Sequence, residues 1–142
     1  VNSANHAVAK AKPHVVSLFE GVIASKSVSG QTLIYRNWLA LSLLETTMIT
    51  AFKTYLVNHT RHDFSDKDLE GLLVWKCLAP PALQKLVRLP GNLWTRLGSI
   101  ARLKYDLMFS KAEPRVSDEE LSKAEAAVEE LLKRLFKLDL DA

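Results

Sequence analysis

The sequence predicts an all-α protein, a single compact bundle of five or six helices. Apolar residues recur every three or four positions over long stretches, two serine-led capping boxes mark helix starts, and no stretch alternates as a half-buried strand would. With 142 residues, 48% of them hydrophobic and 25% charged, the chain suits one globular domain. At this size about 68–70% of the unfolded surface becomes buried, enough to fold without covalent staples. Cys77 is the only cysteine, so no internal disulfide forms, and a small buried hydrophobe is expected there.

In chain order, residues 1–12 lack an apolar stripe and read as a flexible N-terminal arm. The bundle domain is expected over 13–138, with 139–142 as a C-terminal tail. After Pro13, Val15, Val16, Leu18, Phe19, Val22 and Ile23 mark a first helix that "SKSVSG" stops. The longest helix is expected from Gln31 to about Asn58. One of its faces carries Ile34, Trp38, Leu41, Met48, Phe52 and Tyr55, widened by Leu33, Ala40, Leu44 and Ala51, so it should run through the middle of the bundle. Glu45 falls in that apolar register, and a lysine or arginine on a neighbouring helix is the expected partner.

Ser65 with Asp68 starts a third helix whose buried side is Leu69, Leu72, Leu73 and Cys77, and "LAPP" ends it. A short turn follows over Ala82, Leu83, Leu86 and Val87. Asn92 can cap the next helix, whose apolar side is Leu93, Trp94, Leu97, Ile100, Ala101 and Met108. The last helix opens on Ser117 with Glu120. Acids crowd its start, Lys133, Arg134 and Lys137 its end, and Leu121, Ala124, Val128, Leu131, Leu132, Leu135 and Phe136 form its stripe.

No apolar run reaches the roughly 20 residues of a membrane span, and the N-terminus has no signal-peptide core, so a cytoplasmic protein is expected. Val1 in place of methionine points to a fragment or a trimmed chain. The net charge of +3 is unevenly spread: residues 80–115 hold seven bases against two acids, residues 116–142 eight acids against four bases. Such an asymmetry suits a nucleic-acid surface or two helices that pair, and a solvated, partly self-paired surface is the plainer expectation.

The stretch "RLKYDLMFS" (102–110) closes the penultimate helix, and a strongly amphipathic helix follows it. From "WLALSLLETTMITAFKTYLV" to "EELSKAEAAVEELLKRLF", roughly residues 33–137, the chain resembles a HEPN domain, the helical bundle of RNA-cleaving toxins and CRISPR-associated nucleases. The resemblance implies an up-and-down bundle with a motif like "RNDLVHG" at the end of the penultimate helix. Lys104 would take the arginine slot, Tyr105 the polar slot, Asp106 the neighbouring acid and Phe109 the histidine slot. Phenylalanine transfers no proton, so the resemblance implies a catalytically silent copy. It also implies a homodimer through the face that carries the motif.

Independently of that resemblance, Lys85, Arg88, Arg96, Arg102 and Lys104 are candidates for contacting the phosphates of RNA or DNA by charge. His59, Arg61 and His62 are a candidate catalytic cluster, since histidine is the usual base near neutral pH. With Asp63 the same stretch offers too few ligands at matching spacing for zinc, and polar residues closing a long helix are the simpler account. Glycine-rich phosphate loops and Ser/His/Asp settings are absent, so no metal or cofactor is expected. The sequence therefore favours a non-catalytic HEPN-like module for protein interaction or dimerisation, with RNA or nucleotide on a basic face as an accessory. The rivals are a nucleic-acid-binding accessory subunit of a polymerase or processing complex, and a metal-independent endoribonuclease using the His59/Arg61/His62 cluster.

Overall fold

The computed structural model describes residues 21–22, 36–111 and 115–137. The arm over 1–12, the tail over 139–142, the two domain boundaries, all of the expected first helix except Gly21 and Val22, and the expected start of the longest helix at Gln31 with Leu33 and Ile34 lie outside them. Among the described residues there is no strand, and five helices pack together: α1 (Arg36–His59), α2 (Asp66–Leu73), α3 (Pro81–Leu86), α4 (Gly91–Phe109) and α5 (Asp118–Phe136). Gly21 and Val22 are helical and dock on α1. Val22 is only 2% exposed, and a Cβ on Gly21 would collide with the Thr47 hydroxyl.

α1 buries Ala40, Leu41, Leu44, Met48, Ala51 and Phe52, the face expected from spacing, together with Leu56, Thr47 and Asn37. Trp38 and Tyr55 are only partly buried. The Phe52 ring stacks on Trp94 of α4 at 5.5 Å and 7°, and lies 5.5 Å from Trp75, giving the core an aromatic centre. α1 and α5 run parallel. Asn37 Nδ2 donates to Val116 O at 2.9 Å and to Asp118 Oδ1 at 2.7 Å at one end, and His59 meets the edge of Phe136 at the other. α4 runs antiparallel to both, so the three long helices alternate up, down and up.

α2 has the full Ser65/Asp68 capping box, and the two bonds at Ser65 hold the Asp68 carboxyl below its ordinary value. The helix ends at Leu73, four residues before the expected end. Val74 is extended, and the Trp75 indole turns back to donate to Leu72 O at 2.9 Å while its rings join Phe52 and Trp94. Satisfying that aromatic centre stops the helix, and the chain then runs along α4. Gly98 permits the close approach, since a Cβ there would come within 2.6 Å of the Cys77 carbonyl oxygen. Cys77 is consequently on this crossing segment and exposed, correcting the expectation of a buried thiol.

The expected turn over 82–87 is the short helix α3, started by Pro80 and Pro81 and fixed by Gln84 Nε2 donating to Ala79 O at 3.0 Å. Leu83 and Val87 are buried, Ala82 and Leu86 exposed. Asn92 does not cap α4. The Pro90 carbonyl accepts the Leu93 and Trp94 amides, so the helix begins at Gly91, ahead of the asparagine. Leu93, Trp94, Leu97, Ile100 and Ala101 are buried as expected, but Met108 is 57% exposed, and Leu107 next to it packs against the core instead. α5 follows the sequence most closely. It has the Ser117/Glu120 box, three acids in its first turn, Lys133 and Arg134 in its last and the expected stripe buried with Phe136 at its margin.

Candidate functional site

Two of the five candidate phosphate-binding bases are held by carboxylates at hydrogen-bond distance, and a third stands near one. Lys104 Nζ lies 2.9 Å from Glu45 Oε1, each side chain 19% exposed, which supplies the partner expected for that glutamate. Arg96 reaches Glu130 of α5 at 2.9 Å, and Glu130 also accepts from Arg134 at 3.0 Å. The Arg96 hydrogen bond is the main reason the Glu130 carboxyl sits below its ordinary value. Burial opposes it, and Arg134 adds to it. Arg102 stands 3.8 Å from Asp106 on the outside of α4. Lys85 and Arg88 are exposed on and just after α3, a different element from the other three. The five therefore do not form one uninterrupted cationic face on α4.

The residues of "KYDLMFS" diverge. Lys104 turns inward to Glu45, whereas Phe109 is 69% exposed and packs on Tyr105 at 4.8 Å, the i,i+4 spacing of one helix face. Lys76, from the segment crossing α4, places its ammonium 5.9 Å from the Tyr105 ring. Val74, Leu78, Met108 and Phe109 are all large apolar side chains left exposed in this region. Beside them, Glu45, Met48 and Ile49 of α1, Leu73 and Val74 at the end of α2, and Ala101 of α4 line a recess of about 280 Å³. The Glu45–Lys104 pair is the one charged feature at its edge. A second recess of about 210 Å³ lies between α4 and α5, lined by Leu41, Ile100, Leu103 and Ala124.

The two histidines pack on different aromatic rings. His59 stacks on Tyr55 at 5.2 Å and 3° and meets Phe136 at 5.9 Å, while His62 packs on Phe64 at 4.6 Å. Both are exposed, as is Arg61. Among the described residues no three His, Cys, Asp or Glu side chains form a group suited to a metal. No helix among them is long and apolar enough to cross a membrane.

Sequence reasoning missed Val74, Lys76 and Leu78. After the early stop of α2, Val74 lines the recess with Ala101, Lys76 lies over Tyr105 and Leu78 packs against Gly98, while Trp75 packs with Phe52 and Trp94. The Tyr105/Phe109 spacing was the one local signal available. No family model, curated protein or solved structure matches this chain.

Proposed function

We propose that the chain is a non-catalytic, HEPN-like helical module that works by binding protein. The observation that carries this reading is the exposed apolar cluster of Tyr105, Met108 and Phe109 with Val74 beside the recess. The same end of α4 offers no proton-transferring side chain in the slot where the HEPN motif has histidine, and the Lys104 ammonium is already engaged by Glu45. Among the described residues, Lys76, Arg102 and Lys111 stand near this cluster in the chain or in space against Asp106, while Glu45 and Lys104 offset each other. The partner is therefore an apolar segment with acidic flanks, anchored by a side chain in the recess. Each large apolar side chain covered on docking contributes about 1.5–3 kcal/mol.

Titration with an amphipathic helical peptide built from Leu, Phe and Glu tests this. Amide shifts should concentrate on residues 74–78 and 101–109 and vanish in Phe109→Glu. Shifts confined to other helices, or none at millimolar peptide, overturn the reading.

The exposure of Lys85 and Arg88 supports a second reading, a nucleic-acid-binding accessory subunit. With Arg102 included, three contacts give a log–log salt slope of about −2 to −3. Unchanged anisotropy of short RNA and DNA at low salt removes it. A ribonuclease working through His59, Arg61 and His62 would lose RNA cleavage in His62→Ala.

A further inference from the structure

The recess beside α1, α2 and α4 has walls of one chemistry and an edge of another. Met48, Ile49, Leu73, Val74, Trp75 and Ala101 line it with apolar groups, and Glu45 is the one charged side chain among its lining residues. Its volume of about 280 Å³ exceeds the roughly 150 Å³ at which an apolar protein cavity already holds a benzene ring. A ring also suits these walls, since the Trp75 indole offers an aromatic contact and Met48 a thioether.

The edge adds a second requirement. Glu45 Oε1 accepts from the Lys104 ammonium at 2.9 Å, and each side chain is 19% exposed. Among the described residues, Glu45 Oε2 and the other Lys104 protons have no protein partner, so solvent serves them while the recess is open. Whatever fills the recess displaces that solvent. A hydrocarbon tip would cover the acceptor and the donors and leave them unpaired. A charged tip would add an unbalanced charge to a pair that is neutral as a whole. An indole donates but does not accept, and a carboxamide does both without a ring to fill the walls. A phenol meets both requirements: its O–H donates to Glu45 Oε2, and its oxygen accepts from Lys104 Nζ.

We infer that the recess is a tyrosine pocket. The docking segment places a tyrosine ring against Met48, Ile49 and Trp75 and its hydroxyl on the Glu45–Lys104 pair. This rests on the protein-binding reading and adds the chemistry of the anchor, with Glu45 and Lys104 as the residues that select tyrosine over phenylalanine.

Free p-cresol and toluene, which are the side chains of tyrosine and phenylalanine, test the recess without a peptide. Amide and methyl shifts at Met48, Ile49 and Ala101 should reach half-saturation with p-cresol at about tenfold lower concentration than with toluene. In the folded Glu45→Leu/Lys104→Leu chain the order should reverse, because the hydroxyl then meets hydrocarbon. Exchanging phenylalanine for tyrosine in the Leu/Phe/Glu peptide should tighten its binding by a similar factor. Toluene binding as well as p-cresol in the parent chain, no p-cresol shifts at these residues at millimolar concentration, or an unchanged order in the double variant each overturns the inference. A peptide that binds equally well with phenylalanine overturns the tyrosine anchor and leaves the docking reading standing. Preference for p-cresol with both peptides inert overturns the docking reading and the source of the ring, while the ring-and-hydroxyl chemistry of the recess holds.

Discussion

α1 and α5 lie parallel and in contact, yet α1 has only Arg36, Glu45, Lys53 and His59 as charged or imidazole side chains in 24 residues, while α5 has nine charged side chains in 19. α5 also has a capping box, a first turn of acids and a last turn with two bases. α1 has no acid in its first turn and apolar residues beyond its buried face. Local chemistry alone specifies α5 as a helix and aims its stripe. α1 is held by what packs around it, since isolated helix propensity gives little stability without an apolar face to bury.

The largest expected effect therefore falls on α1. Phe52→Ala removes the ring between Trp75 and Trp94 and should lower stability by about 3–5 kcal/mol, read from denaturant unfolding followed by tryptophan fluorescence. A loss below about 1 kcal/mol would show that the aromatic centre is not what holds this helix. Next, Glu45→Ala leaves the Lys104 ammonium half-buried without a partner and should cost about 1–3 kcal/mol. Replacing both residues with leucine should recover most of that loss, which a double-mutant cycle measures.

On α5 the effects are smaller and local. Ser117→Ala, which deletes the cap, should cost about 1 kcal/mol in melting experiments and lower the helicity of a 117–137 peptide. The smallest effect is a pH dependence. The Glu130 carboxyl is depressed in the folded state by Arg96, so its contribution is present above its ordinary value of 4.5 and fades as pH falls below that through the lowered folded value. Solvent screening keeps it under about 1 kcal/mol, and Arg96→Ala should flatten this part of the acid-unfolding curve.

The same contrast accounts for what could be read from residue order. Both capping boxes, the α5 stripe and most of the buried face of α1 follow from short-range spacing, and they were legible. The end of α2 was not, because Trp75 leaves helical geometry to reach rings 23 residues before it and 19 after it. Cys77 was misplaced because the chain carries it onto the crossing segment, and Met108 because Leu107, one position earlier, takes the core-facing place in the last turn of α4. At the candidate site the cations were legible but their commitments were not. Glu45 and Glu130 lie 59 and 34 residues from the bases they bind. What remained after those pairings, an apolar cluster at the end of α4, depends on where α2 stops.

Asn37 has one more implication. Leucine and alanine faces on α1 and α5 would tolerate sliding by a helical turn of about 5.4 Å, exchanging one set of apolar neighbours for another at little loss. The amide cannot follow such a slip, because its bonds to Val116 and Asp118 exist in only one alignment. A single buried carboxamide thus acts as a dowel, choosing one stacking among several that oil-like contacts alone would leave nearly equal.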